Sequence, residues 1–217
     1  MNALLQLAPR FGVAMLVTLE VSVVAALLGL VGGFALHTLR IAFPRALAYP
    51  YRFYVWLVRG TPYLSQLLLV YFGLAVIGFT MTAVQATIVS LGCYSAAYFA
   101  EIFRAGWGSI PRGQLEAARA FGIGRWAAFR AIELPQALAF ILPLLANQVI
   151  LVIKESAVAS IITVPELTMT ASDIVASTYT YIGPYAMLIA CYWLMTQAVA
   201  LLAKRATASI PFLRKTS

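Results

Sequence analysis

Acidic residues, histidine and cysteine are all scarce in this chain of 217 residues. It contains 7 Asp and Glu, 1 His and 2 Cys, against 15 Lys and Arg. The sequence has no Walker phosphate loop, no GxSxG, HExxH or CxxC arrangement, and no pair of carboxylates at a spacing that suggests a cleft. We therefore expect a chain that is not an enzyme and that binds no metal or other cofactor itself.

The formal net charge of +8 does not follow the pattern of a nucleic-acid-binding protein. The basic residues stand near the ends of apolar stretches, where anionic lipid headgroups would meet them. We expect no basic helix face with interleaved aromatic residues. The charge therefore predicts a lipid bilayer as a partner and excludes nucleic acid.

Apolar residues dominate the composition: 63% are hydrophobic, 10% are charged, and the mean hydropathy is +0.91. A helix needs about 20 apolar residues to cross the hydrocarbon core of a bilayer. The sequence predicts an all-α integral membrane protein, one domain over residues 1–217, with about five transmembrane helices. The predicted spans are about 11–38, 54–77, 80–103, 135–153 and 184–203. The first stretch lacks a basic leader and a clear cleavage site, so we expect it to remain as a membrane helix.

Lys and Arg are unevenly distributed between the two ends of the predicted spans. Of the 15, only Arg10 and Lys154 lie at the span ends that would face one side of the membrane. The others follow the first, third and last spans. By the positive-inside rule, the N-terminus is expected outside, and the C-terminus and the segment of about 104–134 in the cytoplasm.

A polar segment with two helix-breaking glycines separates the third and fourth predicted spans. Glu116, Ala117 and Ala118 form helix, and Gly122 can take the left-handed conformation that ends it. We expect two short helices with a sharp bend, and small alanines that let a partner backbone approach closely. An amphipathic loop lying on the membrane surface is the alternative.

The order Glu-Ala-Ala, three residues, Gly, nine residues, Ile, one residue, Leu-Pro from Glu116 to Pro135 resembles the EAA signature of permease subunits of ATP-binding-cassette (ABC) importers. Further short segments resemble the polar amino acid group of these permeases, which imports histidine, arginine, glutamine, glutamate, cystine and opines. The likeness extends over about residues 18–166. These segments are Arg59-Gly60-Thr61-Pro62, Tyr71-Phe72-Gly73, Ala100-Glu101-Ile102, Ser109-Ile110-Pro111, Leu134-Pro135-Gln136 and Asn147-Gln148.

The resemblance implies the type I importer permease fold, with a cytoplasmic coupling helix, in a bacterial cytoplasmic membrane. It implies a second permease copy or a sister permease, two ABC ATPase subunits that bind ATP and Mg, and an extracytoplasmic solute-binding protein. It assigns coupling to the ATPase to Glu116 and Gly122, with Ala117 and Ala118 in support. One departure is that Ala157 and Val158 follow Ser156, where the family usually has a Ser-Leu pair.

Polar residues within the predicted spans are candidates for the substrate pathway, because an ionisable group in lipid usually has a partner or a function. Glu20 could meet an amino group or form an ion pair, and Glu166 could meet a ligand or be an exposed acid. Helix interruption near Thr61 could expose backbone groups to a cavity. Amides can line a pathway or bond between helices. The full set of candidates is Glu20, Thr61, Gln66, Asn147, Gln148 and Glu166.

Glu101 and Arg104 stand three residues apart on one predicted helix, which favours a structural ion pair. Two other functional classes remain open. In an ion-gradient-driven carrier or channel, Glu20, Glu101 and His37 would be the ion or proton ligands. A structural subunit of a membrane enzyme would account for the spans but not for the bent polar segment.

Overall fold

The computed structural model describes residues 2–208, with side chains from residue 7 to residue 207. This part of the chain is almost entirely helical and contains no strand. Two helices include a short π-helical stretch, at Leu69–Gly73 and Phe129–Glu133, and a 3₁₀ turn covers Ser156–Ile162. In chain order the α-helices are α1 (Asn2–Ala42), α2 (Pro44–Gly60), α3 (Tyr63–Leu68), α4 (Leu74–Val76), α5 (Ala83–Gly108), α6 (Arg112–Ala120), α7 (Arg125–Ala128), α8 (Leu134–Glu155), α9 (Leu167–Thr178) and α10 (Ile182–Ala208).

Helices α1 and α5 pack against each other through small residues. A Cβ added at Gly29 would lie 1.9 Å from the Ser95 hydroxyl oxygen, and one at Gly33 would lie 2.8 Å from the Ala100 nitrogen. In lipid there is no hydrophobic force that drives helices together, so they associate through close packing. Small residues such as these glycines allow the two backbones to approach. Contacts advance in the same direction along both helices, so α1 and α5 run parallel. The chain between them must therefore cross back, as the predicted topology requires.

Four helical segments in the described residues are long and apolar enough to cross a membrane: Leu7–Ala42, Ala83–Gly108, Arg125–Ile162 and Ile182–Thr207. Each of these contains or overlaps a predicted span.

The remaining predicted span, 54–77, is not one helix. α2 ends at Gly60, Thr61 is extended with φ −122° and ψ 147°, and a new helix begins at Tyr63. The break follows from Pro62, which has no N–H to donate and disfavours helical backbone at the preceding residue. The apolar helix Tyr63–Val76 measures about 21 Å at 1.5 Å per residue, less than the hydrocarbon core.

The segment between α5 and α8 is shorter than the predicted range of 104–134. α5 continues to Gly108, and helix resumes at Arg125 and runs without a break into α8. The two expected helices and the bend between them are present as α6 and α7, but α7 is the first turn of the segment that continues into α8. The helix passes Pro135 because the preceding Phe129–Glu133 takes the wider π-helical pitch, which accommodates a residue that cannot donate a backbone bond. α6 alone projects as a separate short helix.

Candidate functional site

α6 ends in a helix-terminating turn fixed by Gly122. Gly122 has φ +71°, its N–H donates to the Arg119 carbonyl at 3.0 Å, and the Ile123 N–H donates to the Ala118 carbonyl at 2.9 Å. This pair of bonds is the Schellman motif, which satisfies carbonyls left free at a helix end. The left-handed conformation predicted for Gly122 is confirmed, and the chain turns sharply before Arg125.

One face of α6 is open to solvent along its whole length. Glu116 and Ala117 are both exposed. Ala118 differs, because its side chain is only 3% exposed. The expectation that both alanines meet a partner is therefore wrong for Ala118, which points back into the chain. The surface that a partner can reach includes Arg112, Glu116, Ala117 and Arg119. It combines one carboxylate, two guanidinium groups and one small side chain.

The bend is held to the two long helices on either side of it. Trp126 stacks on Phe129 with ring centroids 5.4 Å apart, and Phe129 stacks on Trp107 of α5 at 5.7 Å. The Gln136 Nε2 of α8 donates to the Gln114 Oε1 of α6 at 2.6 Å. Stacked aromatic pairs add about 0.5–1.5 kcal/mol each beyond the area that they bury. The stack therefore joins the segment that leads into α8 to α5, and the amide bond joins α6 to α8.

A cleft of about 440 Å³ lies on the inner side of the bend. Its lining combines apolar groups with two guanidinium groups and one carboxylate. The lining residues are Leu115, Arg119, Ile123, Arg125, Ala128 and Glu133. Charged groups around an open apolar floor suit contact with a protein side chain better than burial of a small apolar ligand.

Glu20 lies on the exposed face of α1. This face is otherwise apolar, with Val13 at 66% and Leu16 at 65% exposure on one side of Glu20 and Leu27 at 56% on the other. Within the described residues Glu20 forms no ion pair or hydrogen bond. An unpaired acid on a membrane helix is costly in lipid, so this position calls for a protein or ligand group to cover it.

Thr61 and Gln66 bridge the break between α2 and α3. The Gln66 Nε2 donates to the Thr61 hydroxyl oxygen and to the Val58 carbonyl, both at 2.8 Å. The Thr61 hydroxyl donates to the Leu57 carbonyl at 2.8 Å. The predicted interruption is present, and these two side chains satisfy the carbonyls that it frees. Their donors are consequently occupied in this conformation.

The two amides of α8 differ in access. Asn147 is exposed, whereas Gln148 is 5% exposed and buried within the chain. Adjacent helical residues point about 100° apart, so only one of them reaches the surface. Asn147 therefore remains a candidate for the substrate pathway, whereas the Gln148 side chain is covered by the chain itself.

Glu166 is a buried helix cap, so the expectation of an exposed acid or free ligand group is wrong. It is 1% exposed, and its carboxylate accepts from the Met169 N–H at 2.8 Å, the Thr168 N–H at 2.9 Å and the Tyr192 hydroxyl at 3.0 Å. Burial raises the pKa of Glu166 above its ordinary value, and these hydrogen bonds oppose the rise. The side chain starts α9 and joins it to α10.

Glu101 is the centre of a charged cluster at the Gly108 end of α5. Arg104 Nη2 donates to Glu101 Oε2 at 2.7 Å, so the predicted pair is in contact. The Tyr51 hydroxyl of α2 also donates to Glu101, at 2.7 Å, and Arg59 Nη1 lies 3.9 Å away. His37 is buried against Phe103 with a ring-centroid distance of 6.3 Å. The carboxylate thus connects α2 to α5.

The structure does not join the predicted pathway residues into one pocket. Glu20, Thr61 and Asn147 lie on separate elements, and no hydrogen bond or ion pair between described residues links them. The described residues also contain no group of three His, Cys, Asp or Glu side chains placed to hold a metal. Sequence reasoning missed the tight Gly29 and Gly33 contacts, although glycines four residues apart in an apolar helix are a known packing signal.

The chain resembles proteins of known kind in sequence and in structure. It is 37% identical over 183 residues to a probable amino-acid ABC transporter permease protein, YckA of Bacillus subtilis (strain 168), covering 84% of this chain and 81% of that protein. It is 36% identical over 191 residues to the octopine transport system permease protein OccM of Rhizobium radiobacter, covering 84% and 78%. A crystal structure of an amino acid ABC transporter with histidines aligns at a TM-score of 0.87 and 34% identity, covering 95% of this chain and 97% of the other.

Residues 25–209 match the family described as binding-protein-dependent transport system inner membrane component. The match includes α6 and every long helix of the fold except the first part of α1. The all-α membrane architecture agrees with it. The chain is therefore a member of this family of inner-membrane transport components.

Proposed function

We propose that the chain is the membrane-spanning permease subunit of an ATP-driven importer and carries a polar amino acid or related compound by alternating access. The observation that carries this proposal is α6, an exposed short helix bound at both ends to long membrane helices. The names of the chain's relatives, which refer to amino acids and octopine, support the substrate class. The proposed orientation places α6 and the C-terminus in the cytoplasm and the N-terminus outside.

Two ABC ATPase subunits, which bind ATP and Mg, would supply the energy, and α6 is the docking element. Glu116 and Ala117 present a carboxylate and a small side chain to the ATPase surface, and Gly122 sets the direction of the helix. When the ATPase subunits close, α6 moves with them. The Gln114–Gln136 bond then transmits that displacement to α8, and the Trp107–Phe129–Trp126 stack connects the segment that leads into α8 to α5.

The exposed acid on α1 supports both a second permease subunit and an amino acid substrate. Glu20 interrupts an apolar surface that a sister permease or a second copy would cover, leaving the carboxylate facing the pathway between subunits. There it would pair with the amino group of a zwitterionic or basic amino acid. Asn147 is the second exposed polar candidate. A solute-binding protein would deliver the substrate from the extracytoplasmic side.

Copurification with the ATPase, followed by ATP hydrolysis in proteoliposomes, tests this function. The assembled transporter should hydrolyse ATP faster with amino-acid-loaded binding protein. Glu116→Lys reverses the charge at the docking face and should weaken ATPase attachment at least tenfold, since like charges at an interface cost several kcal/mol. Lys204→Glu reverses an exposed charge on α10 and is the matched control. Uptake driven by an ion gradient without nucleotide would contradict the proposal.

A further inference from the structure

α2 carries a continuous basic stripe. Arg45, Arg52 and Arg59 follow one another at seven-residue intervals, which drift only about 20° around a helix at each step. All three are exposed, and α2 contains no acidic residue. Within the described residues, neither Arg45 nor Arg52 forms an ion pair or hydrogen bond. Two guanidinium groups of this stripe are therefore free to bind an anion.

Exposed aromatic rings border the stripe. Tyr49 and Trp56 each follow an arginine of the stripe by four residues, so each ring lies beside it on the same side of α2. Tyr49 is 80% and Trp56 is 70% exposed. We expected no basic helix face with interleaved aromatic residues, and α2 has one, so that expectation is wrong. The seven-residue spacing places these arginines on one face only because residues 44–60 form one helix.

α2 meets α5 at Glu101 and passes obliquely along it. Tyr51 and Arg59 are eight residues apart, about 12 Å along a helix, and both reach the carboxylate of Glu101. Beyond the break at Pro62 the chain turns along α5, where Tyr63 reaches Ser90 at 3.2 Å. Tyr54 of α2 donates to the Cys93 carbonyl, eight residues from Glu101 on the side away from Gly108. The second half of α2 therefore runs past α5 toward its Ala83 end. Arg45 and Arg52 lie before this point, on the part of α2 that follows the end of α1, where a membrane helix meets the headgroups.

Another side of α2, about 100° around the helix from the stripe, is occupied by the protein. Tyr51 and Val58, again seven residues apart, are 5% and 8% exposed. A helix that buries one side in the protein, aligns guanidinium groups on another and places Trp and Tyr beside them has the features of an interfacial helix. Phosphate groups of anionic lipids bind such arginines, and Trp and Tyr rings lie at headgroup depth.

We propose that the basic face of α2 lies at the membrane interface and binds an anionic phospholipid, with Arg45 and Arg52 on the lipid phosphate and Trp56 beside its glycerol and upper acyl region. The lipid belongs to the leaflet at the Gly108 end of α5, which is the cytoplasmic leaflet in the proposed orientation. Glu101 holds the helix in place through Tyr51. The site is independent of substrate transport and of the ATPase contact on α6.

Native mass spectrometry of the purified full chain tests the site. The delipidated protein is mixed with phosphatidylglycerol and phosphatidylcholine of identical acyl chains, and the bound lipids are counted. Wild type should retain phosphatidylglycerol preferentially. Each arginine near an anionic surface contributes about a factor of five, so the double variant Arg45→Gln with Arg52→Gln should bind phosphatidylglycerol about thirtyfold more weakly. Binding of phosphatidylcholine should not change.

The matched control removes the same charge from another membrane-proximal site, with Lys204→Gln and Arg205→Gln on α10, and should retain phosphatidylglycerol within twofold. Equal losses in both double variants would show diffuse attraction and overturn the proposal. Unchanged binding in the α2 variant would also overturn it. Should the α2 double variant not fold, the single variants Arg45→Gln and Arg52→Gln, each expected to lose about fivefold, decide the question.

Discussion

Gly122 offers the sharpest test of how α6 is positioned. Its φ of +71° lies in the left-handed region, yet an added Cβ would meet no atom within 4 Å. Replacing it with alanine therefore introduces no clash, and the whole effect comes from backbone strain. A left-handed conformation costs a non-glycine residue roughly 1–2 kcal/mol. This cost favours states in which the Schellman bonds at Arg119 and Ala118 are lost.

A strain of about 1–2 kcal/mol corresponds to roughly a five- to thirtyfold shift toward misdirected α6. We expect Gly122→Ala to weaken binding of the partner ATPase by up to that factor, because the apparent affinity falls with the fraction of permease in which α6 is correctly directed, measured by titration of the detergent-purified permease. Gly122→Asn should recover part of the loss, because asparagine tolerates left-handed backbone better than alanine. Binding by Gly122→Ala that equals wild type would refute the reasoning.

Gly108→Ala is the matched control for this series. Gly108 ends α5, an added Cβ there also meets nothing within 4 Å, and its φ is not in the left-handed region. The substitution should leave ATPase binding unchanged. Equal losses in Gly108→Ala and Gly122→Ala would show that the measured effect does not depend on the conformation of Gly122.

Three further substitutions test separate parts of the structure. Gly33→Ala should destabilise the fold by about 1–3 kcal/mol because its Cβ would lie 2.8 Å from backbone atoms of α5. Gly12→Ala, which meets nothing within 4 Å inside the same helix, should not lower the melting temperature. Glu166→Ala should cost about 1–2 kcal/mol through loss of the α9 cap, and a change in substrate affinity at full stability would show a ligand role instead. Glu20→Gln should lower amino acid uptake by at least tenfold while ATPase attachment and melting temperature stay at wild-type values.

Local conformation is what the sequence predicted best. Gly122 and Pro62 restrict their own backbones or those of adjacent residues, so the end of α6 and the break before α3 follow from residue type alone. The helical regions also follow, since long apolar stretches in lipid must satisfy their backbone groups internally. The membrane fold was therefore predictable from composition and a few turn residues.

The direction in which a side chain faces was much less predictable. In the sequence, Glu166 cannot be distinguished from an exposed acidic residue on a loop. The fold surrounds it with the first N–H groups of α9 and the Tyr192 hydroxyl. Ala118 is likewise buried and Ala117 exposed, although the two are neighbours. The direction in which a side chain points depends on which helices pack together. Helix packing in turn depends on contacts between residues distant in sequence, such as Gly33 against α5.

Cysteine labelling of α6 tests the central claim most directly. Arg119→Cys is introduced into a chain in which Cys93 and Cys191 are replaced by alanine, and vesicles of both orientations are treated with a membrane-impermeant thiol reagent. Arg119 is exposed beside Glu116 on the docking face. We expect labelling only from the cytoplasmic side, and protection when the ATPase subunits are bound. Labelling from the extracytoplasmic side, or no protection by bound ATPase, would contradict the account.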